Sequence, residues 1–155
     1  MFNKITIVGF GLIGSSIARE IKKNKLAKTI SACDTSFKAL KEIKSLKLAN
    51  EISPNLKLCC KNADIIFICA PLSAYELIFK TIRDHAPVNV IITDVGSSKS
   101  DVIKLSEKIL RKETSFIPGH PIAGTEESGP KSGLLNLFKK RWFISTPCKL
   151  SKKKD

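Results

Sequence analysis

The feature that most constrains this chain is Gly9-Phe10-Gly11-Leu12-Ile13-Gly14, set between a short β-branched run and an amphipathic stretch. Lys4-Ile5-Thr6-Ile7-Val8 predicts a buried strand. From Leu12 to Lys22, the residues Leu12, Ile13, Ile17, Ala18 and Ile21 fall at the spacing of one helix face. A glycine-rich turn joining a strand to a helix is what a dinucleotide's pyrophosphate requires. Gly9 permits the tight turn, Gly11 lets the backbone approach the phosphates, and Gly14 lets the helix pack close to the sheet. The helix start adds unpaired N–H groups and a partial positive charge. The six residues of this turn, Phe10, Leu12 and Ile13 included, are the expected cofactor cradle. Asp34 closes a second predicted strand, Thr29–Cys33, at the offset of about 20 residues at which a carboxylate meets a ribose. It can accept from both ribose hydroxyls and would repel a 2′-phosphate, so NAD is the expected cofactor. The plainer alternative is a tight turn followed by an acid that caps the next helix.

Strands and helices then alternate. Ser36 to Leu46 predicts a helix with Phe37, Leu40, Ile43 and Leu46 inward, and Leu56 to Cys60 is open to a short strand after the turn at Pro54-Asn55. Asp64 to Ala70 and Val90 to Thr93 are continuous apolar strands of the parallel kind. Ser73-Ala74-Tyr75-Glu76 and Ser98-Lys99-Ser100-Asp101 fit capping boxes that open helices to about Ala86 and Arg111. Phe116-Ile117 predicts a short strand, followed by a loop from Gly119 to Gly133, a helical turn at Leu134–Lys139 and a last strand at Trp142–Ser145. The expected fold class is α/β: a Rossmann-type, doubly wound, mainly parallel sheet with helices on both faces. Residues 1–148 are expected to form the NAD-binding domain and residues 149–155 a basic, disordered tail without core signal.

Composition narrows the function classes. With 43% apolar and 26% charged residues among 155, the chain is an ordinary globular domain. Its net charge of +13 invites a nucleic-acid reading. The lysines are spread over nearly every segment, however, and the aromatic residues do not alternate with them as a base-stacking platform would. No nucleic-acid partner is expected. A basic surface still steers anionic small molecules inward. No apolar run approaches the roughly 20 residues of a membrane span. The N-terminus enters a strand at once, leaving no room for a secretory signal. A cytoplasmic protein with no membrane partner is therefore expected. The five cysteines, Cys33, Cys59, Cys60, Cys69 and Cys148, form no C-x-x-C pair and lack a histidine at ligand spacing. They read as buried small hydrophobes in a reducing compartment, with no metal site.

Two later segments follow predicted strands, where open α/β sheets place ligands. One is Asp94-Val95-Gly96-Ser97-Ser98-Lys99 and the other Gly119-His120-Pro121-Ile122-Ala123-Gly124-Thr125. A histidine between glycine and proline is fixed by neighbours that restrict the backbone. Imidazoles as a class titrate near neutrality, which suits work on an alcohol proton during hydride abstraction. The residues alone reach a nicotinamide-dependent dehydrogenase of unspecified substrate, with Ser97 as a turn residue and His120 as a surface histidine the plainer alternatives.

Together, Val8-Gly9-Phe10-Gly11-Leu12-Ile13-Gly14-Ser15-Ser16-Ile17-Ala18, Asp94-Val95-Gly96-Ser97-Ser98-Lys99 and Gly119-His120-Pro121-Ile122-Ala123-Gly124-Thr125-Glu126-Glu127-Ser128-Gly129-Pro130 resemble the prephenate dehydrogenase family, which includes arogenate and cyclohexadienyl dehydrogenases of tyrosine biosynthesis. The resemblance covers essentially the whole chain, and its third motif is the specific one. It implies NAD-dependent oxidative decarboxylation of prephenate to 4-hydroxyphenylpyruvate. His120 then matches the catalytic histidine that hydrogen-bonds the ring hydroxyl, and Ser97 the serine that helps hold that hydroxyl; both contact substrate. Thr125 matches a position on the nicotinamide side, Glu126 one at the mouth of the substrate pocket, and Pro71 one beside the cofactor's ribose and adenine. Family members dimerise through a further, helical domain that also supplies basic side chains for the substrate's carboxylates. The chain ends before such a domain, and Lys99, Lys131 or Arg141 would replace that grip only in part. An exposed apolar patch at Leu134, Leu137, Phe138 and Trp142 is expected to follow. The competing readings are an NAD-binding module without turnover, an arogenate dehydrogenase, or another small-substrate Rossmann dehydrogenase.

Overall fold

A computed structural model of the protein describes residues 1–152. Six parallel strands, β1 (Phe2–Val8), β2 (Ala27–Cys33), β3 (Glu51–Ser53), β4 (Ile65–Ile68), β5 (Ile91–Asp94) and β6 (Ser115–Ile117), form one sheet in the order β3-β2-β1-β4-β5-β6. The order reverses between β1 and β4, so their carboxyl ends border the crevice where such sheets take ligands. The doubly wound α/β reading therefore stands.

Alternation of side chains along the strands builds two cores. On one face, Ile5 and Ile7 of β1 and Ile30 and Ala32 of β2 meet Ala18 and Ile21 of α1 (Leu12–Lys23) and Ile43 of α2 (Phe37–Ser45). On the other face, Val8, Ile66, Ile68, Ile92 and Phe116 meet α3 (Leu56–Cys59), α4 (Tyr75–His85) and α5 (Ser100–Ile109). Fully burying one such aliphatic or aromatic side chain is worth about 1.5–3 kcal/mol. Tyr75, Phe79 and Phe116 stack edge-to-face through this second core, at 5.7 and 5.4 Å between ring centroids. Cys33, Cys59 and Cys60 are buried, and all five cysteines are free thiols. Among the described residues, no helix is long and apolar enough to cross a membrane.

Several local expectations are corrected. Residues 56–59 are a helix rather than a strand, because the Asn55 side chain caps the turn by accepting from Lys57 N–H at 3.0 Å. In α2, Ala39 and Ile43 face inward while Phe37 (74% exposed) and Leu46 lie outside. Neither predicted capping box forms. A 3-10 turn at Leu72–Ala74 leads into α4, α5 begins after Lys99, and neither helix has a side-chain cap. The long loop after β6 starts instead with β7 (Gly119–Pro121), antiparallel to β8 (Phe143–Ser145) in a separate two-stranded sheet.

The tail expectation also changes for residues 149–152. Leu150 is buried in the second core, and Phe116 N–H donates to its carbonyl at 3.2 Å. The Ser151 hydroxyl donates to Phe116 O at 2.7 Å, and Lys152 N–H to Ser115 Oγ at 3.4 Å. One apolar residue inside a lysine run thus docks on the outer side of β6. Residues 153–155 of the expected tail lie outside the described residues.

Candidate functional site

The glycine turn forms one wall of a crevice of about 860 Å³ at the carboxyl ends of β1, β2 and β4. Gly9 has φ +91°, and a Cβ there would sit 2.6 Å from Cys69 O. A Cβ on Gly14 would lie 2.1 Å from Gly9 O, backbone against backbone. Gly11 differs: nothing lies within 4 Å of its would-be Cβ. The space over Gly11 is therefore open at the start of α1, whose N-terminus has no side-chain cap and no acidic residue in its first turn. Unpaired N–H donors, positive dipole end and open cradle together suit a pyrophosphate.

Asp34 stands on the same crevice with its carboxylate fixed. One oxygen accepts from Phe10 N–H and the other from Ser36 N–H, each at 2.8 Å. An ionised carboxylate offers about four acceptor sites, so both oxygens can still meet a diol. Cys33, Pro54, Leu56, Cys69, Pro71, Ala74 and Ile78 complete a largely apolar wall suited to a flat aromatic ring. Burial pushes the Cys69 thiol up, which keeps that wall uncharged.

The second constellation lies at the end of β5. Asp94 is fully buried, and four donors converge on it. Its Oδ2 accepts from the Tyr75 hydroxyl and from Gly96 N–H, each at 3.1 Å, and also pairs with the Lys99 ammonium. Its Oδ1 accepts from Gly119 N–H at 3.1 Å. Burial, and then the charge of Asp94, push the Tyr75 phenol up, so it stays a hydroxyl and donates. One carboxylate thereby ties the loop before Ser97 to the strand that carries His120.

His120 is half-buried on β7 and lines a depression of about 380 Å³ with Pro121, Ile122, Ala123, Gly124 and Arg141. Arg141 also borders an apolar cavity of about 210 Å³ between Phe67 and Thr93 of the sheet and Phe143 of β8. Among the residues expected at the site, Gly9, Phe10, Gly11, Asp34 and Pro71 share the large crevice. Leu12, Ile13 and Gly14 lie just behind its rim in the first turn of α1. Ser97 is exposed at the end of the Asp94 loop, and Thr125 and Glu126 are exposed beyond β7, lining neither cavity. The Thr125 hydroxyl accepts from Glu127 N–H at 3.3 Å in a local turn. Of the three basic candidates, Lys99 is committed to Asp94, Lys131 lies outside the depression, and Arg141 alone borders it. Sequence reasoning missed Asp94 and Tyr75, although an acid ending an apolar strand is itself a signal of a buried, partnered charge.

Residues 17–155 match the family described as the prephenate dehydrogenase nucleotide-binding domain. The chain is 34% identical over 147 residues to a cyclohexadienyl dehydrogenase of Zymomonas mobilis, covering 95% of this chain and 50% of that protein. Its fold is similar to that of prephenate dehydrogenase from A. aeolicus in complex with hydroxyphenyl propionate and NAD+, with a TM-score of 0.90 and 28% identity over 99% of this chain and 54% of that one. It is also similar to Synechocystis arogenate dehydrogenase, with a TM-score of 0.84 and 27% identity over 97% of this chain and 52% of that one. The chain thus spans about half the length of each.

Proposed function

The chain belongs to the prephenate dehydrogenase family, in its nucleotide-binding domain, and from that premise we propose that it carries the NAD half of an oxidative decarboxylation of prephenate to 4-hydroxyphenylpyruvate. The observation that carries this reading is the open cradle over Gly11, facing a crevice on which Asp34 stands with its carboxylate fixed. Gly9 through Gly14 and the start of α1 would hold the pyrophosphate, Asp34 the adenosine ribose, and Pro71 the edge of the adenosine pocket. Bound NAD supplies the hydride acceptor.

His120 accepts a hydrogen bond from the substrate's ring hydroxyl and so stabilises the positive charge that develops on that oxygen as hydride leaves its carbon. Ser97 helps hold the same hydroxyl. Loss of carbon dioxide then leaves its bonding electrons in the ring, which becomes aromatic. The protein therefore contributes chiefly position and polarity. Thr125 and Glu126 border the nicotinamide and the pocket mouth in this reading. Arg141 offers one carboxylate contact on the rim of the His120 depression.

Similarity to the Synechocystis enzyme makes arogenate the competing substrate. The test is a titration with NAD and NADP, followed by Trp142 fluorescence, together with NADH formation from prephenate and from arogenate. Saturable binding with NAD tighter than NADP, and NADH from prephenate, are expected. Failure to bind NAD overturns the reading; binding without NADH from either substrate makes the chain a cofactor module.

A further inference from the structure

Asp94 does more than satisfy its neighbours. Four donors from three parts of the chain meet on one buried carboxylate: the Tyr75 hydroxyl of α4, Gly96 N–H and the Lys99 ammonium of the loop after β5, and Gly119 N–H of β7. Only an ionised carboxylate accepts all four, since an amide in its place would turn one end into a donor. Burying an ion pair costs more than an apolar replacement of the same shape, so stability alone is a weak reason for one here. Geometry supplies another. Gly96 immediately precedes Ser97, and Gly119 immediately precedes His120. Both anchor points are tight: a Cβ on Gly96 would lie 2.9 Å from Leu72 and 3.1 Å from Asp94 Oδ2, and one on Gly119 would lie 2.2 Å from the Phe143 ring. β7 is three residues long and pairs only with β8, itself three residues. Pro118 joins β7 to β6, and the bond from Gly119 to Asp94 adds a lateral tie from the His120 strand to the end of β5.

We infer that Asp94 is a positioning residue that sets Ser97 and His120 in register with each other, with Lys99 as its counter-charge and Tyr75 as the brace from α4. This rests on the proposed roles of Ser97 and His120. Displacing a reacting group by about 1 Å costs on the order of 10²-fold in rate. Loss of a hub that acts through His120 therefore lowers kcat and leaves cofactor affinity alone, because the Gly9–Asp34 crevice shares no residue with it.

The test compares the full chain with Asp94→Asn, with Asp94→Asn combined with Lys99→Met, and with Tyr75→Phe. Removing both charges relieves the unpaired ammonium left by the single substitution, so the double variant is expected to recover thermal stability. Its kcat for NADH formation is expected to stay about 10²-fold down with KM for NAD unchanged. Tyr75→Phe keeps the ring stack on Phe79 and is expected to fall between the double variant and the unsubstituted chain. A second readout needs no turnover: imidazole NMR, with His120 told from His85 by a His120→Asn variant. In the double variant His120 resonances are expected to shift and His85 resonances to stay. A folded double variant with unchanged kcat, or with unmoved His120 resonances, overturns the inference. Absence of turnover in the unsubstituted chain counts instead against the proposed reaction, and the NMR readout then decides on Asp94.

Discussion

The glycine turn lies at the carboxyl end of β1 and the histidine strand beyond those of β5 and β6, and they are built in opposite ways. The turn is held by backbone packing within itself and by the ends of the two strands beside it. Gly9 N–H donates to Cys33 O at 2.8 Å, Gly14 sits directly on Gly9, and Phe10, in the turn from β1 to α1, is 1% exposed. The histidine strand is short and pairs with an equally short partner; it meets the main sheet through Pro118, which joins it to β6, and through the hydrogen bond from Gly119 to Asp94. Around it Trp142 (82% exposed), Phe143 (55%) and Ile144 (51%) are open to solvent; Leu134 and Leu135 are exposed as well, while Leu137 and Phe138 are half-buried. The glycine turn is held from several sides, whereas the proposed site of His120, on two three-residue strands, depends more on what touches it.

The largest expected effect separates the two regions. His120→Asn is expected to lower NADH formation by about 10²–10⁴-fold, the usual worth of a group that handles a proton, while the NAD titration stays unchanged. A parallel collapse of NAD binding would join what the comparison keeps apart. Gly9→Ala comes next. At φ +91°, with Cys69 O 2.6 Å from the new methyl, it is expected to cost up to about 3 kcal/mol in urea unfolding and to abolish cofactor binding. A near-neutral change would show that the turn yields more easily than its packing implies. The smallest effect belongs to Trp142→Ser, expected to change stability by under about 0.5 kcal/mol while reducing hydrophobic-dye binding and self-association measured by light scattering. Unchanged association would move the sticky surface elsewhere.

The same contrast explains what could be read from the sequence. The glycine turn and Asp34 were legible because each requirement is local: a strand, three glycines at set spacing, and an acid one strand later. β7 was not legible, since Gly119-His120-Pro121 carries loop residues and becomes a strand only through β8, more than 20 residues on. Asp94 was visible as a strand-ending acid, but its partners Tyr75 and Gly119 lie 19 and 25 residues away. Leu56-Lys57-Leu58-Cys59 alternates as a strand does, and only the Asn55 cap tips it to helix. Leu150 is a single apolar residue among lysines, with no periodicity to mark it.

The docking of Leu150 on β6 bears on how the molecule behaves in concentrated solution. An outermost strand with free N–H and C=O groups is a template on which a foreign strand can grow, the first step toward a fibril. β6 is the outermost strand on its side, and Phe116's outward N–H and C=O are occupied by Leu150 and Ser151. On the opposite side β3 is three residues long and carries the Lys4–Glu51 ion pair. Among the described residues, neither margin of the six-stranded sheet offers a run to zip onto. Association of copies is therefore expected through the exposed apolar face of β8, as reversible clusters that a mild detergent disperses in light scattering.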